Sequence, residues 1–106
     1  MTSCQISILN ALGLHARAAA KFVHTAGRFT AHVTVARGER EVDGKSIMGL
    51  LLLAAAQGSE IRISADGPDE RDAIRALCAL VERGFDEAAT DPPHARPFDD
   101  KAQDKP

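Results

Sequence analysis

The chain has 106 residues, 44% apolar and 26% charged, which suits one globular domain and leaves little for a second. A net charge of −2, with Lys and Arg scattered along the chain, argues against nucleic acid as the main partner. No apolar run approaches the roughly 18 residues of a membrane span. The N-terminus lacks the basic and apolar regions of a signal peptide, so the expected location is the cytoplasm, with no membrane contact.

Cys4-Gln5-Ile6-Ser7-Ile8 alternates apolar and polar, the mark of a half-buried strand. Asn10-Ala11-Leu12-Gly13-Leu14 interrupts it. Residues 16–26 predict a helix, with Ala16, Ala19, Ala20, Val23 and Ala26 at three- and four-residue spacing and Gly27 as its stop. Alternation returns over residues 29–36, placing Phe29, Ala31, Val33 and Val35 on one face. Arg37-Gly38 is a turn signal, residues 39–42 are a short return strand, and Asp43-Gly44 closes the hairpin. Residues 46–56 predict a second helix, stopped by Gln57-Gly58. Residues 61–65 alternate as a strand, and Asp66-Gly67-Pro68 turns. Pro68 fits the first position of a third helix, where its missing N–H costs nothing, with Asp69 and Glu70 at the positive end of the dipole. That helix runs to Arg83, with Ala73, Ile74, Leu77, Leu80 and Val81 as its apolar stripe.

Residues 1–90 thus read as one domain, and the polar, Pro-rich residues 91–106 as a disordered tail. The order β-α-β-β-α-β-α predicts an α+β fold: a two-layer open-faced sandwich with a four-stranded antiparallel sheet and three helices on one face. Cys4 and Cys78, few and far apart, are expected to be small buried hydrophobes in a reducing cytosol.

His15 directly precedes the first predicted helix. Backbone N–H groups at a helix start have no intrahelical acceptor and carry roughly half a positive charge. The small side chains of Ala16, Ala18, Ala19 and Ala20 leave those amides accessible to an anion, and Arg17 adds a multi-donor cation suited to phosphate oxygens. Imidazole is itself a nucleophile, and phosphoryl transfer asks mainly for positioning and charge stabilisation. The competing reading is an ordinary surface histidine. The second helix is apolar nearly all round, yet a helix on one sheet buries only one stripe. Some of Ile47, Met48, Leu51 and Leu52 should therefore be exposed as a protein-docking patch, unless the third helix or a second copy covers them. Ser46 suits the N-cap of that helix. A phosphate there would bring about two negative charges beside the patch.

Gly13-Leu14-His15-Ala16-Arg17 with Ala19-Ala20-Lys21-Phe22-Val23, and Gly44-Lys45-Ser46-Ile47-Met48-Gly49-Leu50, resemble two motifs of the HPr family, the histidine-containing phosphocarriers of the bacterial phosphoenolpyruvate-dependent phosphotransferase system. The resemblance covers residues 3–87. It implies the fold above, and a carrier rather than an enzyme. Enzyme I would phosphorylate His15 on Nδ1, and the group would pass to an Enzyme IIA-type domain, for sugar uptake or for regulation. By matched position the phosphate would lie on the Ala16, Arg17 and Ala18 amides and the Arg17 side chain. Partners would dock on Ala16, Arg17, Ala20, Ile47, Met48 and Leu51. Ser46 corresponds to the site of HPr kinase/phosphorylase in those members that have one. No cofactor or metal is implied, and a monomer is expected. Many members have Pro where this chain has Ala18, which keeps an N–H. Ala18, the 42–48 segment and Glu82-Arg83-Gly84-Phe85-Asp86-Glu87 also resemble NPr, the nitrogen-branch phosphocarrier.

His94-Ala95-Arg96-Pro97 copies the common family motif more literally, but no apolar helix follows it, so it offers no anion pocket. His24 and His32 lack neighbours at metal-ligand spacing. Two other classes of function compete: a small-ligand regulatory domain, and an interaction module switched at Ser46. Neither gives His15 and Arg17 a task.

Overall fold

Period-two patterning builds four strands in a computed structural model of the chain, which describes residues 1–86. They are β1 (Thr2–Ser7), β2 (His32–Arg37), β3 (Arg40–Asp43) and β4 (Glu60–Asp66). The helices are α1 (Ala16–Ala26), α2 (Ile47–Leu52) and α3 (Glu70–Glu82), followed by one 3-10 turn, Gly84–Asp86. The sheet order is β1-β4-β2-β3, with every neighbouring pair antiparallel. The α+β open-faced arrangement is therefore the one expected. The 87–90 end of the expected domain and the 91–106 tail lie outside the described residues.

Two β-α-β units interleave in this order. β1 and β2 run the same way through α1 with β4 between them, while β3 and β4 run the same way through α2 with β2 between them. Ser7 pairs with Glu60, so the end of β1 lies beside the start of β4. Because α1 follows β1 and α2 precedes β4, the start of α1 and the end of α2 meet at one end of the sheet. The β2–β3 hairpin turn lies at that same end.

Between sheet and helices lies an aliphatic core closed by two phenylalanines. Ile8, Val33, Val35, Ile61 and Ile63 come from the sheet side, Phe22, Leu50 and Leu77 from the helices, and Phe85 from the final turn. Full burial of each such side chain is worth about 1.5–3 kcal/mol. The α3 stripe Ala73, Ile74, Leu77, Leu80 and Val81 is buried as its spacing requires. On α1 the buried residues are Ala18, Ala19, Phe22 and Ala26, while Ala16 and Ala20 face out. A helix so rich in alanine carries a weak periodic signal, and Phe22 settles its rotation.

Several boundaries shift for local reasons. α2 stops at Leu52 rather than at residue 56, because Leu53 and Ala54 donate three residues back, to Leu50 and Leu51, and Ala54 turns left-handed at φ +51°. β2 starts at His32 rather than at Phe29, because the N–H groups of Thr30 and Ala31 donate to the Asp69 carboxylate, both at 2.9 Å. Asp69 is the N-cap residue of α3, so Pro68 precedes the helix instead of opening it. Those bonds, the one from Thr30 foremost, hold the Asp69 carboxyl below its ordinary pKa.

The cysteines depart from expectation altogether. Cys4 and Cys78 form a disulfide across 74 residues, tying β1 to α3. Cys4 lies on the β1 face that packs on the core and Cys78 on the half-buried edge of α3, so packing opposes two residues that spacing cannot relate. Closing a loop of that length stabilises a chain by about 4 kcal/mol.

Beside this disulfide, Glu70 fixes the first residues of β1. Its carboxylate accepts from the Thr2 hydroxyl at 2.6 Å, the Gly67 N–H at 3.1 Å and the N-terminal ammonium at 3.0 Å. The Thr2 bond first, then Gly67 and the ammonium, lower its pKa from 4.5 to about 2. The unfolded chain binds the extra proton in that window, so this contribution is complete above pH 4.5 and fades as the pH falls toward 2. Urea unfolding from pH 6 to pH ~2 should show a steeper acid loss in the parent than in Glu70→Gln; equal slopes would refute the linkage.

Candidate functional site

The ladder between β1 and β4 continues beyond both strands. Ile8 N–H donates to the Ser59 carbonyl and Gly58 N–H to the Ile8 carbonyl, each at 2.8 Å, and Gln57 Nε2 donates to the Leu9 carbonyl at 3.0 Å. Next the chain turns around buried Asn10. The Asn10 carbonyl accepts from Gly13 N–H at 3.1 Å, and Nδ2 donates to the Gly13 carbonyl at 2.8 Å. Gly13 has φ +68°, and a Cβ there would lie 2.6 Å from the Ala55 carbonyl oxygen and 2.9 Å from Ala56 Cα. Only glycine fits both the backbone angle and the approach. Leu14 N–H then donates to that Ala55 carbonyl at 2.9 Å, and its side chain enters the core.

These contacts deliver His15 to the N-cap of α1. Its backbone is extended, with φ −85° and ψ −178°, and its carbonyl accepts from Ala19 N–H at 2.8 Å. Its Nδ1 accepts from Arg17 N–H at 3.3 Å, doing with a ring nitrogen what Ser or Asp does with oxygen. A nitrogen that accepts carries a lone pair, so the proton of the neutral ring sits on Nε2. The Nδ1 lone pair therefore lies at the positive end of the helix dipole. Ala16 and Arg17 are exposed at the rim, Ala20 is exposed one turn on, and Ala18 buries its methyl in the core.

α2 packs beside α1. Half-buried Ser46 caps α2, its Oγ accepting from Gly49 N–H at 3.0 Å. Leu50 and Leu53 are buried, Ile47, Met48 and Leu52 are exposed, and Leu51 is half-buried. Met48 is 70% exposed, so neither α3 nor any other described element covers this surface. Leu9 and Leu12, on the loop leading to His15, are also exposed. Sequence reasoning passed over these two because they fall between elements, where no period marks a face. Of the other histidines, His24 and His32 are both exposed, and His94 lies outside the described residues. Among the described residues no cluster of three or more His, Cys, Asp or Glu could hold a metal ion, and no helix is long and apolar enough to cross a membrane.

Residues 2–83 match a family model described as the PTS HPr component phosphorylation site. The phosphocarrier protein HPr of Cupriavidus necator is 51% identical over 81 residues, covering 76% of this chain and 91% of that protein. The phosphocarrier protein NPr of Shewanella violacea is 44% identical over 85 residues, covering 80% and 93%. Among solved structures, HPr-C-His from Thermoanaerobacter tengcongensis superposes with a TM-score of 0.80 at 44% identity, covering 83% of this chain and 99% of that one.

The clamp on His15 is open to a direct test. Gly13→Ala would force a side chain into the Ala55 carbonyl at a left-handed angle, and should destabilise the fold by roughly 1–3 kcal/mol. Urea denaturation measures this. A change below about 0.5 kcal/mol would show that the loop relaxes without cost.

Proposed function

This chain belongs to the HPr family of phosphocarriers of the phosphotransferase system, and from that premise we propose that His15 takes a phosphoryl group from phosphorylated Enzyme I and hands it to an Enzyme IIA-type domain. The observation that carries this reading is the His15 Nδ1 lone pair at the start of α1, held by the Arg17 N–H. Nδ1 attacks phosphorus, the N–P bond forms, and the donor's bond to phosphorus breaks with its electron pair leaving on the donor. The Arg17 N–H loses its acceptor in that step and gains a phosphoryl oxygen in its place. The Ala16 and Ala18 amides and the Arg17 guanidinium supply the remaining donors. The proton stays on Nε2, so the phosphorylated ring is cationic and is a good leaving group for the next transfer.

Partners dock on Ala16, Arg17 and Ala20 of α1 and on Ile47, Met48 and Leu51 of α2. The chain acts as a cytoplasmic monomer without cofactor or metal, serving sugar uptake or nitrogen-branch regulation. Where the host has an HPr kinase/phosphorylase, Ser46 is its target.

Incubation with Enzyme I and phosphoenolpyruvate should add one acid-labile, base-stable phosphate, absent from His15→Ala. Equal labelling of that variant would refute the assignment. Ser46→Asp should keep the cap on Gly49 but place a charge beside Ile47 and Met48. Steady-state transfer from Enzyme I should slow by roughly tenfold or more at low salt. Rates matching the parent would mean that Ser46 lies outside the docking surface.

A further inference from the structure

We infer that Arg37 and Arg40, at the β2–β3 hairpin, are positioning residues for His15, acting through the end of α2. The functional consequence rests on the phosphocarrier reading above; the structural claim does not.

A helix ends with carbonyl groups that have no intrahelical partner. In α2 their destinations can be followed one by one. The Leu50 and Leu51 carbonyls accept from Leu53 and Ala54 N–H at 3.2 and 3.1 Å. The Leu52 carbonyl accepts from Arg40 Nη1 at 2.6 Å, and the Leu53 carbonyl from Arg37 Nη1 at 3.1 Å. Two residues further on, the Ala55 carbonyl accepts from Leu14 N–H, the bond that sets the residue before His15. Leu52 to Ala55 is thus a bridge, with the hairpin arginines on one side and the His15 loop on the other.

Sheet topology is what allows this. The hairpin, the end of α2 and the start of α1 share one end of the molecule. Both arginines are cations at a helix C-terminus, where the dipole favours them, and guanidinium reach spans the gap from strand to helix. Their bonds fix the path of the chain just before Ala54 turns left-handed and presents Ala55. Without them that turn would depend on the buried side chains of Leu50, Leu53 and Ala55.

The test compares the full chain with the double variant Arg37→Ala/Arg40→Ala and with Arg37→Lys/Arg40→Lys. Amide hydrogen exchange at Leu14 and in the central sheet, at Val35 and Ile63, is read alongside phosphorylation by Enzyme I and phosphoenolpyruvate, well below the melting temperature. The alanine pair should exchange the Leu14 amide roughly tenfold faster while the sheet amides keep their rates. Its kcat/KM as Enzyme I's substrate should fall by about tenfold. The lysine pair, which keeps charge and one donor group at each position, should recover most of both. Unchanged exchange at Leu14, or equal acceleration at Leu14 and in the sheet, would overturn the proposal. So would unchanged kcat/KM in the alanine pair. If the parent chain takes no phosphate at all, the phosphocarrier reading falls, and exchange at Leu14 alone then decides the positioning role.

Discussion

The hydrogen bond from Leu14 N–H to the Ala55 carbonyl ties the loop before α1 to the chain after α2, at the end of the sheet where the topology sets the start of α1 beside the end of α2. It converts a sheet order into a defined position for one histidine. On one side it needs Gly13, whose Cβ-free, left-handed backbone lets the loop approach Ala55. On the other it needs Ala54 at φ +51°, a conformation that costs an L-residue roughly 1–2 kcal/mol. A sequence free to relax would end α2 without that reversal. The strain persists because the turn aims a carbonyl at Leu14 and seats Leu53 and Ala55 in the core.

On the relay reading, the electrostatics around His15 suit a group that must be held and then released. An exposed helix N-terminus favours an anion by roughly 0.3–1 kcal/mol, a modest hold. Arg17 is exposed, so its guanidinium adds a solvent-screened charge rather than a trap. Ala18 stands where many family members have Pro, and the backbone N–H it retains is one more donor in the first turn. Its methyl is fully buried, so the side chain itself adds nothing to the outward face of the site.

The sequence made the periodic parts legible and hid what depends on contact across the chain. Alternation located the four strands within a few residues, and the α3 stripe was complete, because each pattern is wide enough to rotate its element. Ser46 is legible because a cap position has a local signature, and His15 with Arg17 because they stand at a predicted helix start within a recognisable motif. The helix expected over residues 46–56 runs too far because the seven apolar residues from Leu50 to Ala56 give no stop signal, and the left-handed turn at Ala54 carries no glycine to announce it. Asp69 reads as a dipole partner; its bonds to Thr30 and Ala31 span 39 and 38 residues and leave no mark in either segment. The Cys4–Cys78 disulfide is hidden for the same reason: nothing in either segment shows that packing opposes them.

On the relay reading, the apolar face of α2 must serve more than one partner and let each one go. Ile47, Met48 and Leu52 are already partly covered, so burying what remains exposed yields at most about 5–9 kcal/mol together. Association costs an estimated 4–15 kcal/mol in lost freedom. The surplus from this patch alone is small or negative, so the polar rim and the phosphoryl site must complete the affinity. An encounter balanced in this way dissociates readily, which a carrier between two proteins requires. Met48, the most exposed of the three, also has the most adaptable side chain and can fit surfaces of different shape. What must not adapt is the backbone beneath it, because the end of α2 also positions the histidine.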